Sequence, residues 1–308
     1  MTDPTFTLPT IQLADGGTLD FTGVIHPSTV PDPDPPVDPP DGPPVVLPKS
    51  QRRILWHHGW AGKPLLTLPS DVRIGINTIS CLVAQSAQSG TGNLTAPSGV
   101  DKATVTSLTA SGIDVLIGIG GASDGGITIT TPAQVTQARD SINALIRDYG
   151  YIGIDLDLEP SGSKWTEASL VNLVSLLKSD HPNFVVGLTV ALYSPHTAGW
   201  LSLAKALGSN LSFFAVMCYD FVEAKTSALT SVVVNDKLPK MTTVVPAAKC
   251  VVLYMPYTPN HDNTSPVPVL VAAQKAAIAK FSGVGFGIYE DLIDGANGFP
   301  GIRALFGL

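Results

Sequence analysis

Asp155, Asp157 and Glu159 occupy alternate positions in the run Tyr151-Ile152-Gly153-Ile154-Asp155-Leu156-Asp157-Leu158-Glu159-Pro160. A β-strand repeats its side-chain direction every two residues, so the three carboxylates share one face. Ile154, Leu156 and Leu158 take the other face, where they can be buried. Three like charges in a row repel one another, and the cost needs an offsetting role. Crowded carboxylates cannot all ionise easily. At least one pKa should rise, as a general acid working near neutral pH requires, and neighbours should titrate as a coupled unit. The stretch therefore reads as an interior strand delivering carboxylates to a site.

The elements that could position such a strand follow from residue 52 onward. Apolar runs alternate with amphipathic ones. The strand candidates are 53–57, 76–83, 113–119, 153–158, 184–192, 213–219, 250–255 and 284–289. Helical segments fall between them at 132–147, 167–178, 200–207 and 267–281, the first opened by Thr131 as N-cap and Pro132 at N1. Near-continuous apolar strands separated by helices imply a parallel sheet covered on both faces. Eight β/α units in ~255 residues suit an α/β (β/α)8 TIM barrel. An open doubly wound sheet is the alternative. However, no strand is followed by a phosphate-binding glycine turn that opens a helix; Gly118-Ile119-Gly120-Gly121 leads into Ser123-Asp124-Gly125-Gly126 instead.

In such a barrel, chemistry sits at the C-terminal strand ends. Those ends carry His57, His58 and Trp60 on the first strand, Gly120 and Gly121 on the third, and the carboxylate row on the fourth. Tyr193 follows the fifth, Met217-Cys218-Tyr219-Asp220 the sixth, Tyr257 the seventh, and Tyr289 with Glu290 the eighth. A rim of carboxylates and aromatics suits a carbohydrate, whose C–H faces stack on rings and whose hydroxyls bond to acids. The two histidines have no metal-type cluster around them, and no metal or cofactor is expected.

The remaining composition bounds the function. The chain has 308 residues, 44% hydrophobic and 14% charged, with a net charge of -7. Without a basic cluster, nucleic-acid binding and attraction to anionic membranes are not expected. Cys81, Cys218 and Cys250 are odd in number, lack metal spacing and lie in apolar runs, so they read as packing residues. The N-terminus has neither a basic segment nor an apolar one of signal-peptide type, and no apolar run reaches the ~18 residues of a membrane helix.

Residues 1–26 read as short strands around Ala14-Asp15-Gly16-Gly17, a hairpin too small to be stable alone. The expectation is that they anchor on something else, the barrel or another protein. Residues 27–50 form a linker whose proline-dense part, 27–48, holds ten prolines and four aspartates. Extended polyproline II would let it span roughly 60–70 Å. The barrel is expected over 51–308.

These residues carry a resemblance. Gly153-Ile154-Asp155-Leu156-Asp157-Leu158-Glu159 resembles the D-G-x-D-x-D-x-E signature of glycoside hydrolase family 18, the chitinase and endo-β-N-acetylglucosaminidase family. Met217-Cys218-Tyr219-Asp220 resembles its M-x-Y-D motif, and Gly118-Ile119-Gly120-Gly121 its S-x-G-G motif. The resemblance implies that Glu159 protonates the glycosidic oxygen. The substrate's own 2-acetamido oxygen would attack the anomeric carbon, oriented by Asp157 and held by Tyr219, while Asp155 shares a proton or hydrogen bond with Asp157. Asp220, Met217, Tyr289, Tyr257, Tyr193, Trp60, Gly120 and Gly121 would contact substrate.

Three positions depart from the pattern. Ile152 stands for the first Asp and by strand parity should face away from the carboxylate row. Gly118 stands for the Ser, and Tyr289 for the Trp that floors the sugar site. The layout of a hydrolase behind a stiff arm and a small β segment resembles bacteriophage minor tail proteins. That comparison implies a virion location and cell-wall or surface glycan as substrate. A free chitinase or endoglycosidase, and a silent glycan-binding module, are the alternatives.

Overall fold

The structure is a computed structural model of the chain, described at 5–7, 11–12, 18–19, 22–24, 51–58, 75–84, 90–121, 127–159, 164–193, 195–256, 265–289 and 303–305. The proline-rich segment, Trp60, Tyr257 and Glu290 lie outside the described residues. The chain divides into two compact units, Met1–Asp41 and Gly42–Leu308.

The first unit contains two antiparallel pairs. β1 (Thr5–Thr7) pairs with β4 (Thr22–Val24), and β2 (Ile11–Gln12) pairs with β3 (Thr18–Leu19). The β2–β3 pair is the hairpin that the Asp15-Gly16-Gly17 signal predicts, and β1 and β4 flank it in the sequence.

The second unit is a closed parallel barrel. Its strands are β5 (Arg53–His58), β6 (Thr78–Ala84), β7 (Asp114–Gly120), β9 (Gly153–Leu158), β11 (Val185–Val190), β12 (Phe213–Met217), β13 (Cys250–Tyr254) and β14 (Gly285–Tyr289). They neighbour one another in chain order, and β14 closes against β5, with Phe286 opposite Arg53 and Tyr289 opposite Trp56. The Gln51 amide reinforces this seam by donating to the Val284 carbonyl at 3.2 Å. Two short mouth strands, β8 (Thr128–Ile129) and β10 (Lys164–Trp165), pair in parallel outside the barrel.

The helices cover the barrel with their apolar stripes. α1 (Lys102–Ala110) starts at Asp101, whose carboxylate accepts from the Thr104 amide at 2.7 Å. α2 (Pro132–Tyr149) opens with a reciprocal capping box between Thr131 and Gln134 and stops at Gly150 in the left-handed region. α3 (Glu167–Asp180) and α4 (Thr197–Leu207) follow. After β12 come α5 (Ala228–Ser231), a π-turn (Val232–Lys237) and α6 (Leu238–Thr242); α7 (Val267–Lys280) is the last long helix. Among the described residues no helix is long and apolar enough to cross a membrane.

The barrel strands are buried on both faces, and two cores result. The outer core joins Leu55, Ile117, Ile154, Leu156 and Val186 to the helices. The inner one fills the barrel with Ile54, Trp56, Leu82, Leu116, Phe213 and Leu253. Asp155 lies within this inner layer, and its neighbours in register on both sides, Gly118 and Gly187, have no side chain. A Cβ on Gly118 would stand 2.4 Å from Leu82, and one on Gly187 would stand 2.1 Å from the Phe213 ring and 2.7 Å from an Asp155 oxygen. The missing motif serine thus has a packing cause: Leu82 occupies its space.

At the barrel bottom, Arg52 meets Asp114 at 2.5 Å and the Thr78 hydroxyl at 2.8 Å, with its guanidinium over the Phe213 ring. The three cysteines are buried, as expected of packing residues. His57 is fully buried.

Ile152 corrects the parity expectation. It packs against the inner cluster, while Tyr151 belongs to the outer one. The alternation inferred from β9 does not extend to Ile152 because the strand begins only at Gly153. Ile152 precedes the N-terminal end of β9 and so stands at the barrel bottom, opposite the mouth.

Candidate active site

β9 presents its carboxylates at successive heights along the barrel. Asp155 is fully buried, Asp157 is 4% exposed and Glu159, one residue beyond the strand, is half-buried. The deepest is held by other strands. The Trp56 indole donates to Asp155 Oδ2 at 2.8 Å, and the Thr189 hydroxyl donates to Oδ1 at 2.9 Å. Burial raises the Asp155 pKa to about 6, and the bonds from Thr189, Ser80 and Trp56 work against a larger rise.

This has a measurable consequence for stability. Below about pH 4 both folded and unfolded chains hold the Asp155 proton, and the group contributes nothing. As pH rises towards 6 the unfolded chain releases it while the native chain keeps it, so stability falls by up to about 3 kcal/mol and then levels off. Relative to the parent, Asp155→Asn should gain about that much between pH 4 and 7 in urea unfolding. A flat difference across that range would mean that Asp155 titrates alike in both states.

Above Asp155 a cleft of about 760 Å³ opens at the C-terminal mouth. Asp157, Glu159, Met217, Tyr219, Asp220, Tyr193 and Tyr289 all line it. The structure therefore brings together the carboxylates of β9, the end of β12, Tyr193 after β11 and Tyr289 at the end of β14. Tyr219 is the meeting point. Burial pushes its hydroxyl well above the usual value, and Asp157, Tyr289, Glu159 and Asp220 push it further. It remains an O–H donor throughout the working pH range. Its ring lies 6.0 Å from that of Tyr289, tilted by 38°.

Asp220 has φ 62°, the one non-glycine with positive φ among the described residues. Aspartate tolerates this region better than most residues, yet such backbone geometry concentrates at sites of function.

Gly120 and Gly121 act here through backbone. The Gly121 amide donates to the Asp157 carbonyl at 2.7 Å, and a Cβ on Gly120 would lie 2.0 Å from that same oxygen. They fix the height of Asp157 in the mouth. Trp165 stacks on Trp200 with centroids 5.1 Å apart, so that pair is a packing contact.

Sequence reasoning did not single out Trp56, Ser80 or Thr189. The closed barrel gives them their direction: Ile54 and Trp56 share the inner face of β5, and Gly187 and Thr189 share that of β11 beside Asp155. Sequence reasoning also passed over Asp236 and Lys237, which reach the cleft from the π-turn.

A family model, Glycosyl hydrolases family 18, matches residues 82–267, more than half of the chain and including β7, β9, β11 and β12. The chain belongs to glycosyl hydrolases family 18. Chitinase Chi52 of Paenibacillus xylanexedens is 27% identical over 175 residues, 51% of this chain and 33% of that protein, so the match spans about a third of the relative's length. A family 18 chitinase from Chromobacterium violaceum superposes with TM-score 0.65 at 16% identity, covering 83% of this chain and 82% of the other. The catalytic domain of a family 18 chitinase from the fern Peteris ryukyuensis does so with TM-score 0.67 at 15% identity, covering 82% and 98%. These superpositions establish a shared barrel.

Proposed function

We propose that the chain hydrolyses β-linked N-acetylglucosamine glycan by substrate-assisted, retaining catalysis. The observation that carries this reading is the convergence of Asp157, Glu159 and a protonated Tyr219 on one cleft above the buried Asp155. Glu159, at the mouth, donates its proton to the leaving glycosidic oxygen. The substrate's acetamido oxygen closes on the anomeric carbon to form an oxazolinium, so no second carboxylate acts as nucleophile. Asp157 accepts from the acetamido N–H and disperses the charge that develops there. Tyr219 donates to the acetamido oxygen and aligns it for attack. Water then opens the oxazolinium from the face that the leaving group vacated, and Glu159, now a carboxylate, takes a proton from that water and is restored as the acid. Tyr289, beside Tyr219, supplies the floor for the sugar.

The mechanism requires the acetamido group. N-Acetylglucosamine oligomers should give products that retain the β-anomer when followed by proton NMR. Glucose oligomers of equal length and linkage should stay intact. Cleavage of both series, or an inverted product, would defeat the substrate-assisted route.

We infer further that the domain acts on bacterial envelope glycan as part of a phage tail, held through residues 1–26. Support for this comes from the small antiparallel N-terminal unit and the proline-dense stretch that follows it. An antibody to the barrel should label purified virions; labelling confined to the soluble lysate would remove this placement.

A further inference from the structure

The segment after β12 contains an anomaly with an identifiable cause. Between α5 and α6 the helix widens into the π-turn Val232–Lys237, in which the Leu238 amide reaches back five residues to the Val233 carbonyl. Pro239 explains it. A proline in a helix interior has no N–H and clashes with the carbonyl four residues earlier, here that of Asn235. Widening the turn relieves the clash, but the Val234 carbonyl then faces position 239, which has no N–H to give. The Lys280 ammonium from α7 takes that place, donating to the Val234 carbonyl at 3.0 Å and to Asn235 Oδ1 at 3.0 Å. The π-turn is therefore built and sealed by specific residues, and such turns concentrate at functional sites.

What the turn presents is Asp236 and Lys237, both lining the cleft. The Lys237 ammonium donates to the Leu192 carbonyl, just past the end of β11, and pairs with Asp236 at 3.2 Å. Asp236 is held in turn by Lys240 at 2.5 Å. The Lys237 side chain is only 13% exposed, so its charge is committed to these contacts and not displayed to solvent. Leu192 precedes Tyr193, the exposed cleft aromatic at 48%. Tyr193 sits on a tight turn: its amide bonds to Ala191, and its carbonyl accepts from the His196 and Thr197 amides. Its ring meets the His196 ring edge-on at 6.1 Å. Lys237 thus joins the π-turn to the backbone that carries the aromatic wall.

We propose that Lys237 is a positioning residue for glycan specificity, holding Tyr193 as a sugar-stacking wall of the cleft. This rests on the glycan reading above. Exposed aromatic rings gain from C–H stacking only when fixed, because ordering a mobile wall on binding costs affinity. The test uses the full chain on a Glu159→Gln background, where binding is measured without turnover, with a β-linked N-acetylglucosamine oligomer in a calorimeter. Lys237→Met should weaken binding about tenfold, and Lys237→Arg should stay within about twofold of the background. Tyr193→Ala should weaken binding by a similar factor. The double variant should be no worse than Tyr193→Ala alone, since contacts that act through one another do not add. Unchanged binding in Lys237→Met, or full additivity in the double variant, overturns the inference while leaving the glycan assignment intact. A Glu159→Gln chain that binds no oligomer overturns both.

Discussion

Glu159→Gln should lower kcat/KM on N-acetylglucosamine oligomers by about 10³ while leaving oligomer binding nearly unchanged. Gln is close to Glu in size and keeps a hydrogen bond to the glycosidic oxygen, but it has no proton to give. Positioned general acids contribute 10²–10⁴-fold, and a thousandfold loss is about 4 kcal/mol of barrier. On the proposed glycan reading, Tyr193, Tyr219 and Tyr289, which line the same cleft, carry most of the binding, so kcat should absorb the loss. Reducing-end release and calorimetric titration on the same preparation separate the two quantities. Equal turnover in parent and variant would remove Glu159 from the chemistry. A parent that binds oligomers yet never cleaves them would mark a silent glycan-binding site.

Gly120→Ala should cost about 4 kcal/mol of stability and reduce activity well beyond the loss of folded protein. Two penalties coincide. The residue has φ 116°, which an L side chain seldom adopts at less than 1–3 kcal/mol. Its Cβ would also lie 2.0 Å from the Asp157 carbonyl oxygen, a backbone atom that cannot rotate away, adding roughly 1–3 kcal/mol of overpacking. For a domain of this size the melting temperature should fall by about 10 °C. Relief of the clash must push β9 away from β7 at Asp157, and a 1 Å misplacement of a reacting group can cost about 10² in rate. Differential scanning calorimetry and kcat at a temperature where both proteins are folded check the two parts. Normal stability would mean that this stretch of β7 has room that its packing does not show.

The barrel was legible because parallel strands covered on both faces read as apolar runs, and all eight fall within a few residues of their expected bounds. Two helical segments escaped. α1 is rich in threonine, and the Val232-Val233-Val234 run resembles a strand more than a helix, with Pro239 arguing further against one. At the site, period-two spacing exposed the carboxylates of β9 because polar and apolar residues alternate there. On β5 no such contrast exists: Leu55 and Trp56 are both bulky, and only the fold says that Trp56 points inward to Asp155. Gly120 and Gly121 read as substrate contacts by position; what position alone did not give is their close backbone approach to the Asp157 carbonyl. Asp236 and Lys237 had no sequence signal, since their exposure to the cleft depends on a turn of unusual width.

The seam between β5 and β14 sets a condition on how the protein is made. Gln51 and Val284, which meet across it, are 233 positions apart in the chain. At ribosomal speeds of about 5–20 residues per second, β5 waits on the order of 10–50 s for its partner. Throughout that wait the nascent sheet has two raw edges able to pair with any neighbouring chain. Slower elongation lengthens the exposure, so the yield of soluble protein should depend on translation rate and on chaperone supply. Once β14 docks, both edges vanish together, and the carboxylates of β9 acquire a closed barrel beneath them.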